Sequence, residues 1–128
     1  MTLSSDRPRL LLVDDDNGLR STLACLLAHD FQVTQEVDGK AGIARLASEA
    51  FDVVLTDLEM PYVSGDELVA WVAEHRPTLA GRVIILSGGA KDPSRARWLQ
   101  AFDPRRVLYK PCCIEAVMTS IREALGGP

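Results

Sequence analysis

The chain alternates short, strongly apolar runs with longer segments in which apolar residues recur every three or four positions. Five runs have the length and composition of strands, at residues 9–13, 31–37, 53–56, 83–87 and 107–109. Five segments have helical period, at residues 18–29, 39–50, 65–75, 93–102 and 114–125. This alternation is typical of βαβ units, in which each helix joins two parallel strands.

Several of these strands are apolar on both faces, as in LLLV at 10–13 and VVL at 53–55. Such strands belong to sheets that helices cover above and below, which favours a parallel arrangement. A length of 128 residues fits one domain. The sequence therefore predicts a three-layer α/β sandwich built as a (βα)5 doubly wound parallel sheet.

Composition excludes several classes of function. The longest apolar runs, 23–28 and 68–73, are far shorter than the ~20 residues of a membrane-spanning helix. Eighteen acidic and fourteen basic side chains give a net charge of −4, which argues against direct nucleic acid binding. Residues 1–8 lack the apolar core of a secretory signal, so we expect a cytoplasmic protein. Three cysteines without a C-x-x-C pair predict reduced thiols.

Polar side chains follow four of the predicted strands at the point where each strand ends. They are Asp14, Asp15 and Asp16 after the first strand, Asp57 after the third, Ser87 after the fourth and Lys110 after the fifth. Parallel strands lie ~4.8 Å apart, and functional groups gather beyond their carboxyl ends, so these side chains should converge. Each residue alone is weak evidence, because carboxylates also cap helices and turns and most lysines are solvated.

Carboxylates packed this closely repel one another unless a positive charge intervenes. A set of two or three carboxylates with no nearby histidine or cysteine suits Mg²⁺ better than zinc or a fully caged Ca²⁺. A metal, a hydroxyl and an ammonium around one carboxylate are typical of phosphoryl transfer, in which the carboxylate itself can be the nucleophile.

The motifs VDDD, VVLTDLEMP, ILSGGA and YKP occur in that order on successive strand ends. In this arrangement the chain resembles the receiver domain of two-component response regulators, a CheY-like family. The resemblance covers residues 9–125 and implies a flavodoxin-like sheet with strand order 2-1-3-4-5. Residues 1–8 are then expected to be a flexible N-terminus, and residues 126–128 a C-terminal tail or linker stub.

The resemblance also implies roles for the acidic residues. By position, Asp57 is the expected phosphoacceptor, and it would share the Mg²⁺ with Asp15 as a direct ligand and with Asp14 as a ligand through water. Glu59 would contribute its backbone carbonyl. The chain would then be a signalling module rather than an enzyme, with chemistry limited to its own phosphorylation and dephosphorylation.

Two further positions match the family and one departs from it. Ser87 matches the hydroxyl residue that follows the phosphoryl group, and Lys110 matches the lysine that pairs with it, with a cis bond expected to Pro111. Val107 stands where the family commonly has an aromatic residue that rotates inward. A valine cannot make that movement, so the signal is expected to travel through residues 87–92 and the helix after them.

The resemblance implies a histidine kinase or phosphotransfer domain as phosphodonor. An output protein or domain would bind the face formed by helix 4, strand 5 and helix 5, where four arginines cluster: Arg95, Arg97, Arg105 and Arg106. Two copies of the chain could also pair as a homodimer.

Two alternatives remain open from the sequence. A haloacid-dehalogenase-like phosphohydrolase would use Asp14 as the nucleophile of a D-x-D motif, although Gly18 departs from that motif and the chain is short for that fold. A receiver that is never phosphorylated would serve as a docking module.

Overall fold

The computed structural model describes residues 7–126. Five strands form one parallel sheet: β1 (Arg9–Val13), β2 (Gln32–Glu36), β3 (Val53–Asp57), β4 (Val83–Ser87) and β5 (Val107–Tyr109). Their order is β2-β1-β3-β4-β5, which confirms the predicted fold. Of the two predicted terminal segments, residues 1–6 and 127–128 lie outside the described part of the chain.

Five α-helices connect or follow the strands: α1 (Asn17–Leu27), α2 (Gly39–Ser48), α3 (Gly65–His75), α4 (Pro93–Ala101) and α5 (Ile114–Ala124). Short 3-10 helices at Pro77–Arg82 and Pro104–Arg106 lead into β4 and β5. No predicted boundary of a helix or strand is wrong by more than two residues. The helix α1 begins at Asn17 because the Asp16 side chain accepts a hydrogen bond from the Leu19 amide.

The core lies on both faces of the sheet, as alternation along the strands requires. Leu10 and Leu12 of β1 face a cluster that includes α1 and α5, whereas Leu11 and Val13 face one that includes α2, α3 and α4. The edge strand β2 is polar and only partly buried. Within residues 7–126 no helix has the length and apolar character needed to cross a membrane.

The strand register brings the predicted site residues to one edge of the sheet. Thr56 pairs with Val13, Asp57 with Leu86, and Ser87 with Tyr109. The residues that end these strands or directly follow them therefore stand side by side: Asp14, Asp57, Ser87 and Lys110.

Candidate functional site

Three carboxylates meet at this edge. Asp14 and Asp57 are buried, with 1% and 7% of their surface exposed, whereas Asp15 is exposed. One carboxylate oxygen of each lies within 4.8 Å of those of the other two. The structure thus assembles three of the four predicted metal ligands into a group that could hold a cation.

Lys110 is the positive charge that faces these carboxylates. Its Nζ lies 3.5 Å from Oδ1 of Asp57 and 3.6 Å from Oδ2 of Asp14. The Lys110 amide donates a hydrogen bond of 2.7 Å to the Ser87 carbonyl, which fixes the lysine at the carboxyl end of β4. The Lys110–Pro111 bond is cis, as predicted.

A single lysine does not offset the free-energy cost of burying the Asp14 and Asp57 carboxylates side by side. Burial raises the pKa of Asp57 to about 6, with repulsion from Asp14 and Asp15 adding to the shift and Lys110 opposing it. Burial likewise raises the pKa of Asp14, against the effects of the Asp16 amide and Lys110. The site therefore carries more negative charge than its own lysine stabilises.

A buried carboxylate oxygen of Asp14 also lacks a compensating partner. Oδ2 has no hydrogen-bond partner among the described residues, and Lys110 stands too far away for more than an ion pair. Buried carboxylate oxygens are normally satisfied, and this one belongs to an all-oxygen group suited to a hard divalent cation. The donor set thus fits Mg²⁺.

Local hydrogen bonds fix the position of Asp14. Its Oδ1 accepts from the Asp16 amide at 2.9 Å, and its backbone carbonyl accepts from Nη1 of Arg20 at 2.8 Å. Arg20 also donates to the Gln35 side chain, which ties α1 to β2. Sequence reasoning missed Arg20, because an arginine on a helix gives no signal of the carbonyl that it reaches.

The β3 end is held by close backbone packing. The Thr56 hydroxyl donates to the Asp57 carbonyl at 2.9 Å, and the Gly65 amide donates to the Leu58 carbonyl at 2.7 Å. A Cβ on Gly65 would lie 2.5 Å from the Asp57 carbonyl oxygen and 2.8 Å from the Leu58 Cα. Only glycine therefore lets the first turn of α3 sit against the segment that carries Asp57.

Two predicted residues belong to the segments that end at the carboxylates but do not bond to Asp57. Ser87 is buried at the end of β4, and its Oγ accepts a hydrogen bond from the Gly89 amide at 3.0 Å. Glu59 is half-buried, two residues beyond Asp57. Among the described residues, no hydrogen bond or ion pair joins either side chain to Asp57.

The comparisons with known proteins agree with this geometry. A family model for the response regulator receiver domain matches residues 10–122. The chain belongs to this family of receiver domains. Receiver domains are signalling modules of two-component systems that interact with histidine kinases and output domains, and they are not classical enzymes.

Individual relatives show how widely this receiver domain is used. Protein PilH of Pseudomonas aeruginosa is 30% identical over 93% of this chain and 98% of its own length. The sensor histidine kinase TmoS of Ectopseudomonas mendocina is 34% identical over 74% of this chain, which is only 10% of TmoS. The chain spans about half the length of several other curated relatives.

A solved structure gives the same fold. The CheY-like response regulator receiver domain protein from Methanospirillum hungatei superposes with a TM-score of 0.82 at 25% identity, over 94% of both chains. The receiver fold and family are thus confirmed, and the individual residue roles become a proposal.

Proposed function

We propose that this receiver takes a phosphoryl group onto Asp57 from the phosphohistidine of a histidine kinase or phosphotransfer domain. The observation that carries the proposal is the position of the Asp57 carboxylate. It is nearly buried at a strand end, 3.5 Å from Lys110 and within 4.8 Å of two further carboxylates. A single anionic nucleophile surrounded by groups that bind phosphate oxygens and a cation suits phosphoryl transfer.

In the proposed reaction an Asp57 oxygen attacks the phosphorus atom and forms the new P–O bond. The P–N bond of the donor breaks, and its electron pair returns to the imidazole, which takes up a proton from solvent. The Lys110 ammonium then pairs with a phosphoryl oxygen. The Ser87 hydroxyl, which already accepts from the Gly89 amide, keeps its proton free to donate to another phosphoryl oxygen.

Asp14, Asp15, Asp57 and the Glu59 backbone carbonyl would hold Mg²⁺. When bound, the ion supplies positive charge that stabilises both the clustered carboxylates and the phosphoryl oxygens. Asp14 is held ready for this role, because the Asp16 amide and Arg20 fix its carboxylate and its carbonyl.

We propose the face of α4, β5 and α5 as the surface for the output partner, or for a second copy of the chain. Three of its four arginines are already occupied within the chain. Arg95 pairs with Asp66 and Asp92, Arg105 pairs with Asp103, and Arg106 donates to the Gly81 carbonyl.

Arg97 has no hydrogen bond or ion pair among the described residues, and Tyr109 is 58% exposed. These two side chains are therefore available to a partner on this face. The proposed activity would take place in the cytoplasm.

The test is incubation with Mg²⁺ and acetyl phosphate, followed by intact mass and by reductive trapping of the acyl phosphate with borohydride. We expect one added phosphoryl group, located at Asp57, that disappears when Mg²⁺ is chelated. Asp57→Asn should not be labelled. Glu74→Gln removes an exposed carboxylate on α3 and should be labelled like the wild type.

The other outcomes separate the alternatives. Label found at Asp14 would favour the phosphohydrolase, although Asp14 is only 1% exposed and thus less accessible than Asp57. Absence of label from a protein that binds Mg²⁺ in calorimetry would overturn the proposal and leave the unphosphorylated docking module.

A further inference from the structure

An ion pair joins the first turns of α3 and α4 beside the site. Nε of Arg95 in α4 lies 3.2 Å from Oδ1 of Asp66 in α3, and Nη1 of Arg95 lies 3.7 Å from Oδ2 of Asp92. The side chains of Arg95 and Asp66 are 31% and 24% exposed. This pair links two segments that are 29 positions apart in the sequence.

Asp66 is held in a fixed position next to the segment that carries Asp57. Its neighbour Gly65 packs against the backbone of Asp57 and Leu58, closer than any side chain would allow. The Ser64 hydroxyl and amide both donate to the Glu67 carboxylate in a capping box that fixes this turn. Asp66 therefore stands at a fixed place relative to the phosphoacceptor.

Arg95, in contrast, follows a loosely held segment. Between β4 and α4, a Cβ on Gly88 or Gly89 would meet nothing within 4 Å, and Gly89 has a φ of +102°. The hydrogen bonds of this segment are local, from the Gly89 amide to Ser87 and from the Ser94 amide to Asp92. Of residues 88–92, only Ala90 packs against a core cluster, so this segment can move with little loss of packing.

The helix α4 is also the least anchored of the five. It buries one residue, Leu99, whereas α5 buries four and each other helix buries three. Trp98 in α4 and Phe102, directly after it, stack on each other and are only partly buried. Few apolar contacts therefore oppose a shift of its first turn.

We propose that the Arg95–Asp66 ion pair is a latch that holds the start of α4 against the phosphoacceptor segment in the unphosphorylated protein. Movement of Ser87 and Gly88 toward a phosphoryl group on Asp57 would draw residues 88–92 with it and pull Arg95 away from Asp66. This part of the inference rests on the proposed function. The latch gives the chain a route from Asp57 to α4 that needs no aromatic residue at Val107.

The first test measures the latch without any phosphorylation. Hydrogen exchange in peptides that cover residues 88–101 is compared among wild type, Arg95→Gln, Asp66→Asn and Arg95→Lys. We expect exchange to be about two- to fivefold faster in the first two variants, the range that a partly exposed ion pair supports. Arg95→Lys, which keeps the charge, should lie between them and the wild type. Arg82→Gln, an exposed arginine at the other end of β4, is the matched control.

The second test uses acetyl phosphate and Mg²⁺. Release of the latch increases the population in which Ser87 and Gly88 are free to approach the phosphoryl group. Phosphorylation should therefore be about two- to fivefold faster in Arg95→Gln and in Asp66→Asn than in the wild type. The double variant should be no faster than Arg95→Gln alone, because that change already removes the contact between Arg95 and Asp66.

Unchanged exchange of residues 88–101 relative to Arg82→Gln, or rate effects that multiply in the double variant, would overturn the latch. A wild-type protein that accepts no phosphoryl group would instead overturn the proposed function, and the hydrogen exchange comparison would still decide on the latch.

Discussion

Replacing Asp57 by asparagine should stabilise the protein when no Mg²⁺ is present. Asparagine has nearly the same shape as aspartate but carries no charge, so it removes the repulsion among Asp14, Asp15 and Asp57 while leaving the packing intact. The pKa of Asp57 is raised from 3.8 to about 6 in the folded protein, chiefly by burial. At 1.36 kcal/mol per pKa unit, its ionisation costs the folded state about 3 kcal/mol.

The sign follows from the direction of the shift. A carboxyl whose folded pKa lies above its unfolded pKa binds its proton more tightly when folded, so the contribution of Asp57 to stability is most favourable below about pH 4. This contribution falls as pH rises toward 6 and stays low above it. The raised pKa of Asp14 acts in the same direction. Asp57→Asn lacks most of this decline, so we expect it to exceed the wild type by about 1–3 kcal/mol at pH 8.

Urea unfolding in EDTA, followed by far-UV circular dichroism from pH 4 to pH 8, measures this difference. Glu74→Gln makes the same change of charge at an exposed site and should stay within about 0.5 kcal/mol of the wild type. Mg²⁺ should reduce the advantage of Asp57→Asn, because a bound cation stabilises the wild type by mass action. If Asp57→Asn is no more stable than wild type at pH 8 in EDTA, the charge excess inferred for this site is wrong.

Two further substitutions test the backbone packing beside the site and the packing of the core. Gly65→Ala should destabilise the protein by about 1–3 kcal/mol in urea unfolding and slow phosphorylation, because its Cβ would meet the Asp57 carbonyl. Gly81→Ala, where a Cβ meets nothing, is its control, and equal effects would contradict the packing argument. Ile121→Ala should lower the free energy of unfolding by about 2–5 kcal/mol, because the side chain is fully buried under the sheet. The exposed neighbour Thr119→Ala should change it little, and a small loss at Ile121 would refute its place in the core.

The fold was predictable because strands that are buried on both faces of the sheet have continuous apolar sequences. Runs such as LLLV and VVL occur where both faces of a strand are covered, and β1 and β3 have those positions buried. The second strand is less well marked. Its predicted limits, 31–37, include Phe31, which is buried but precedes the ladder, and Val37, which is 50% exposed beyond it.

The acidic centre was predictable for a similar reason. Strand ends are set by the backbone, so Asp14, Asp57 and Lys110 could be brought together from their positions alone. The contacts of Arg20 and Arg95 could not be predicted from the sequence. A charged residue on a helix surface looks the same in the sequence whether it is solvated or reaches a partner, and only the packing angle between elements decides.

The remaining question is how a receiver with valine at position 107 connects its site to its surface. Val107 is 9% exposed and packs in the same core cluster as Leu99 and Trp98 of α4 and Phe102 directly after it. The Val107 side chain is too small to leave that cluster and fill a space near Ser87. Its rotation therefore cannot transmit a change at Asp57 to the surface. The segment that follows Ser87 is then the connection to α4 that remains, and α4 is the helix with the fewest buried residues. In the proposed mechanism, a helix with so few buried residues needs a polar contact to keep its first turn in one position, and the Arg95–Asp66 ion pair is such a contact.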